Sequence, residues 1–172
     1  MANNYQQFSE VFEFKTKEGA KLFGDLQEIV SLLEMGDVGV EELDGEEELP
    51  EDSDYKDLVK VWQTLTEDQK EKILATTDDG SFDCEPEKGA PKNVWVYADE
   101  CGNLEALAAC AQAALEVTKD TDTVFTLTWS ATCDKPRVGN FGGGWIVMHA
   151  HGVEFGDAWS AAKEAVKKIK GE

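Results

Sequence analysis

The run Val124–His151, VFTLTWSATCDKPRVGNFGGGWIVMHAH, decides the fold, because it reads either as a strand entering a phosphate-gripping loop or as two strands joined by a turn. From Val124 to Trp129 the side chains alternate, with Phe125, Leu127 and Trp129 on one face and Val124, Thr126 and Thr128 on the other, which is the period of a strand. Trp145–His151 is a second strand-like run. Between them, Cys133–Trp145 holds three consecutive glycines and the only arginine of the chain, Arg137. A P-loop needs Gly-x4-Gly-Lys-Ser/Thr leading into a helix whose N-terminus faces the phosphate, and a dinucleotide fingerprint needs GxGxxG in the same setting. Gly139–Gly144 matches neither and leads into a strand, so no helix dipole points at an anion. Arg137 retains the chemistry to grip a carboxylate or phosphate bidentately. The segment nevertheless reads as a hairpin connection, with Lys135-Pro-Arg turning the chain and the glycines making room for neighbouring aromatic rings.

Working outward, Phe8, Phe12 and Phe14 fall on alternate positions of a strand with one buried face. Thr16 offers an N-cap to a helix carrying Phe23, Leu26, Ile29, Val30 and Leu33 at helical spacing, and Gly36 ends it. After the acidic run that follows, Leu58, Val59, Trp62 and Leu65 suggest a short helix from near Asp54, and Thr66-Glu-Asp-Gln69 is a capping box for another that buries Ile73 and Leu74. A short segment around Phe82 and Cys84 and a well-buried strand at Val94–Tyr97 come next, then a helix bearing Leu104, Leu107, Ala108, Ala111, Ala114 and Leu115. An amphipathic helix, capped by Asp157 and lysine-rich toward its end, closes the chain. At 172 residues one core is the natural reading, so residues 1–172 are expected to form a single α+β domain. Its sheet is expected to be antiparallel or mixed, with helices mainly on one face, and residues 37–79 to form an inserted acidic loop and helical hairpin.

The formal charge is −20, and it is unevenly placed. Residues 1–100 carry 27 Asp and Glu against 9 Lys, whereas residues 101–172 carry 9 acids against 7 bases. A field of that sign repels nucleic acid and anionic membrane and draws basic protein surfaces from about 8 to 10 Å at moderate salt. The densest acids are Glu41, Glu42, Asp44, Glu46, Glu47, Glu48, Glu51, Asp52 and Asp54, with no base among them, continued by Asp57, Glu67, Asp68, Glu71, Asp78 and Asp79. Such a block is either a solvated loop or an interaction segment. A solubility- or salt-adapted housekeeping domain is the competing reading, though salt adaptation would spread acids over the whole surface.

Signals for catalysis and cofactors are sparse. His149 and His151, two apart in a strand, would point the same way, and a small metal-binding protein using them is a second alternative, but further ligands such as Cys133 or Glu154 would have to come from the fold. No CxxC or HExxH spacing is present, so neither metal nor cofactor is expected. Cys133 and Cys101 lack a nucleophile context, and the Asp99-Glu100 pair is unremarkable in so acidic a chain, so the protein is not expected to be an enzyme. The four cysteines are widely spaced and read as free thiols. No signal peptide or membrane span is evident, so a cytoplasmic location is expected.

From Val94 to His151 the sequence resembles small acidic proteins of unknown function from bacteriophages and integrating mobile elements, on the wording Leu127-Thr-Trp, Thr132-Cys, Lys135-Pro-Arg, Gly139 and Phe141-Gly-Gly-Gly144. The resemblance names no activity and implies only context. In such a setting acidic proteins often antagonise host nucleic-acid enzymes. The resulting expectation is an inhibitor that binds a basic protein surface, such as that of a restriction, CRISPR or repair enzyme, by imitating DNA, whose charges recur roughly every 1.7 Å of duplex axis.

Overall fold

The computed structural model of the chain describes residues 4–46, 55–77, 82–133 and 142–170. Six strands, β1 (Asn4–Glu13), β2 (Asp83–Pro86), β3 (Asn93–Ala98), β4 (Val124–Cys133), β5 (Gly142–His149) and β6 (Gly152–Asp157), form one sheet in the order β2-β3-β1-β4-β5-β6. Every neighbouring pair of strands is antiparallel. The helices are α1 (Lys17–Met35), α2 (Val40–Asp44), α3 (Lys56–Trp62), α4 (Glu67–Leu74), α5 (Leu104–Val117) and α6 (Ala158–Lys170). This is an α+β fold of the expected class. The expected hairpin joins β4 to β5, whose register sets Val124 opposite His149 and Trp129 opposite Gly144. Lys135, Arg137 and the rest of the segment expected to turn, residues 134–141, lie outside the described residues.

Local signals placed the helix ends. The Thr16 hydroxyl accepts from the Gly19 N–H at 3.1 Å, and Gly36, at φ 73°, closes α1 in the left-handed conformation that glycine adopts without cost. At α4 the capping box is complete: Gln69 N–H donates to the Thr66 hydroxyl at 3.3 Å, and Thr66 N–H donates to the Gln69 side-chain carbonyl at 2.9 Å. Thr66→Ala is therefore expected to lower stability by about 1 kcal/mol and Thr66→Ser by much less, as read from urea unfolding midpoints.

One face of the sheet forms the core. Phe8, Phe12, Val94, Val96, Phe125, Leu127, Ile146 and Met148 point to that face, where Phe23, Leu26, Ile29 and Val30 of α1 and Leu107, Ala111, Ala114 and Leu115 of α5 meet them. Small alanines let α5 approach closely. At the centre, Phe12 stacks on Phe125 with ring centroids 4.5 Å apart, and Phe23 lies against Phe12, Phe14 and Phe82.

Three features differ from expectation. The described part of the acidic stretch 37–79 holds three short helices rather than two, and Leu43, Leu58, Trp62, Leu65 and Ile73 belong to the same core as the sheet. The strand expected at Trp145–His151 runs from Gly142 to His149, and an unexpected sixth strand, β6, follows a turn at Ala150-His151. Finally, Val94–Tyr97 is buried on one face only, because Trp95 remains 39% exposed. A continuous apolar run signals two-sided burial, and here only one side is covered.

Candidate protein-binding surface

The acids of α2, α3 and α4 are held differently from a free charge array. Asp44, the last residue of α2, accepts at one oxygen from the Trp62 indole N–H of α3 at 2.9 Å and from the Lys70 ammonium of α4 at 2.7 Å. Lys70 also reaches Glu67 at 3.2 Å and lies 5.8 Å from the centroid of the Trp62 ring. A single carboxylate therefore joins three helices. The bond to Lys70 holds the Asp44 carboxyl below the usual carboxylate range, opposed by desolvation and assisted by Trp62. Asp57 pairs with Lys60 at 2.6 Å, Asp68 pairs with Lys72 at 2.7 Å, and Glu42 accepts from the Gly39 N–H at 2.8 Å.

Of the expected partner-binding acids, then, Asp44, Asp57, Glu67 and Asp68 are engaged by lysines, and Glu42 holds the start of α2. Glu41, Glu46 and Glu71 are exposed, with no lysine bonded to them among the described residues. Glu47, Glu48, Glu51, Asp52, Asp54, Asp78 and Asp79 lie outside the described residues.

A second surface was not foreseen. On the outer side of the sheet, away from α1 and α5, Val11 is 43%, Trp95 39%, Val124 56% and Trp145 42% exposed. Trp95 stacks on Tyr97 with centroids 4.2 Å apart, and its indole N–H donates to the Ser9 hydroxyl at 2.8 Å. The Tyr97 hydroxyl donates to Glu85 at 3.0 Å, an acceptor that raises the tyrosine pKa above its ordinary value. Register places Glu85 beside Trp95, and Glu154 opposite Val147, next to Trp145. None of the six strands contains a lysine or an arginine. The sequence did carry a signal here: the unbroken apolar run at Val94–Tyr97 exceeds what a one-sided sheet needs.

His149 ends β5 and His151 lies in the following turn, with ring centroids 6.2 Å apart and the His151 N–H donating to His149 Nδ1 at 3.2 Å. Among the described residues no group of three His, Cys, Asp or Glu side chains gathers to hold a metal. None of the four cysteines is in a disulfide; burial and the neighbouring acids push the Cys84 thiol up to about 12, and burial raises Cys110. Asp99 and Glu100 lie in a turn whose carbonyls accept from Gln7 and Gln6, tying it to β1. A cleft of about 640 Å³ opens where β1 and β4 diverge, lined by Glu10–Lys15 and Asp122–Thr126 and bridged by Lys15 and Asp122 at 3.2 Å. Neither Cys133 nor His149 lines it.

No helix of the described residues is long and apolar enough to cross a membrane. Comparison with family models, curated proteins and solved structures finds no match to this chain.

Proposed function

We propose that the protein is a non-catalytic binding module whose acidic first part docks on a basic protein surface, and that its partner is a nucleic-acid-handling enzyme blocked by that contact. The observation that carries this reading is the imbalance of charge: a net −18 over residues 1–100, presented in part by helices locked in place through Asp44, Trp62 and Lys70. Ordered carboxylates on rigid elements steer a basic partner and limit the entropy lost on binding. Because four of the candidate acids, Asp44, Asp57, Glu67 and Asp68, are already paired with lysines, contact by imitation of a continuous phosphate array is the weaker form of the proposal. Electrostatic docking through Glu41, Glu46 and Glu71, exposed and with no bonded lysine among the described residues, together with the acids between them, is the stronger form. The resemblance to acidic mobile-element proteins supports an inhibitory role.

Binding to a panel of basic nucleases, glycosylases and CRISPR effectors, measured by interferometry at low and high salt, tests it. The triple change Glu41→Gln, Glu46→Gln, Glu71→Gln is expected to slow association about tenfold at low salt and to leave dissociation nearly unchanged. A partner that binds equally well at high salt, or that duplex DNA fails to displace, would count against the proposal.

A further inference from the structure

The helix α6 has no buried residue, although its apolar side chains gather sharply on one side. Its apolar stripe runs through Trp159, Ala162, Val166 and Ile169, of which Trp159 is 59% and Ile169 86% exposed. An isolated helix of this length is marginal in water, because most helical stability comes from burying one face. Asp157 caps it, accepting from the Ser160 N–H at 2.8 Å and the Ser160 hydroxyl at 2.6 Å, but a cap alone does not hold four turns. The helix therefore needs a surface to cover its stripe.

Charge identifies that surface. Lys163, Lys167, Lys168 and Lys170 oppose a single acid, Glu164, so α6 is a basic element on a chain of net charge −20. The outer face of the sheet is its complement: exposed Trp95, Val11 and Trp145 among Glu85, Glu13 and Glu154, without one lysine or arginine on any strand. Dimensions agree as well. Thirteen helical residues are about 20 Å long, and six strands about 4.8 Å apart make a sheet roughly 24 Å wide. We infer that α6 docks on the outer sheet face of a second copy, and that two copies exchange these helices reciprocally in a two-fold dimer. Reciprocal exchange covers both stripes and both sheet faces at once. An anionic lipid surface would also suit a basic amphipathic helix, but the acidic body attached to α6 is repelled by it.

Sedimentation equilibrium of the full chain, from micromolar to hundreds of micromolar, tests the inference. A dimer is expected, weakened by salt. Trp159→Ser with Ile169→Ser should raise its Kd on the order of 30-fold, as loss of an aromatic anchor at an interface centre does, and leave the fold intact because both side chains are exposed. Lys163→Glu with Lys167→Glu should weaken the dimer, and adding Glu85→Lys with Glu154→Lys should restore it. The inference is overturned if the chain is monomeric throughout, if the dimer survives the Trp159 and Ile169 changes, or if the charge exchange fails to restore it. It is also overturned if a monomer binds phosphatidylglycerol vesicles through α6. Changes at Glu41, Glu46 and Glu71 should leave the dimer unaffected, which separates this contact from the proposed basic partner.

Discussion

Trp62→Ala is expected to cost about 3–5 kcal/mol, the range for deleting a fully buried large aromatic side chain. The ring is completely inaccessible to solvent, so the change removes apolar burial and leaves a cavity between α3 and the elements it packs on. It also takes from Asp44 one of its two donors among the described residues, leaving the bond from Lys70. With total stabilities of roughly 5–15 kcal/mol, such a loss consumes a large part of what holds the domain together. Trp62→Phe separates the contributions: it keeps most of the packing and loses the N–H, and should cost about 1–2 kcal/mol. Urea unfolding followed by far-UV circular dichroism measures both. The shape of the transition matters as much as its midpoint. If residues 37–79 share the core of the sheet, Trp62→Ala shifts one cooperative transition; two separate transitions would show that this segment folds as an independent unit.

That shared core explains which parts of the fold were legible in the sequence. Strands and helices with one strong period were readable, because Phe8-x3-Phe12 and the Phe23, Leu26, Ile29, Val30 stripe state their buried face directly. Cap residues Thr16, Gly36 and Thr66 were readable because each has a local hydrogen-bonding or backbone reason to stand where it does. Strand β6 was not, since Gly152 and Gly156 remove the side chains that would have shown its alternation and leave only Val153 and Phe155 on one face. Helix α2 was hidden by its charge: Val40-Glu-Glu-Leu-Asp44 offers a single buried residue, Leu43, in a run that reads as self-repelling.

The candidate surfaces were legible to a lesser degree. A count of acids finds Asp44 and Glu71 alike, but one is the junction of three helices and the other is exposed with no bonded lysine among the described residues; the difference depends on Lys70, which is 26 positions from Asp44. Long-range pairing of this kind has no period and no motif. The outer sheet face was visible in part, since Trp95 and Tyr97 sit in an apolar run, but only the burial of alternate strand positions in one core with α1 and α5 shows that both helices lie on the opposite side. The apolar stripe of α6 was plain in the sequence, and its exposure was not, because amphipathicity tells that a face will be covered without telling by what.

Gly144→Ala should be strongly destabilising, at about 3 kcal/mol, the upper part of the overpacking range. The reason is steric. Gly144 sits in β5 between Trp129 of β4 and Asp157 of β6, and a Cβ there would run into the Gly156 carbonyl oxygen while lying 2.9 Å from the Trp129 Nε1 atom. A flexible side chain could yield, but a backbone carbonyl of the neighbouring strand cannot move without breaking the β5–β6 ladder. Gly142→Ala is the control, since nothing among the described residues lies within 4 Å of the added methyl. Where the backbone is compatible, Gly→Ala stabilises by about 0.4–1 kcal/mol by restricting the unfolded chain, so Gly142→Ala should be neutral or slightly favourable. The two variants differ by one methyl placed two residues apart in one strand. A large loss for Gly144 beside none for Gly142, read from unfolding midpoints and tryptophan emission, would establish that this glycine is there to let an aromatic ring and a neighbouring strand approach. Equal stabilities would remove that explanation. Because β6 leads directly into α6, displacing β6 should also disturb self-association, so Gly144→Ala is expected to weaken the dimer where Gly142→Ala does not.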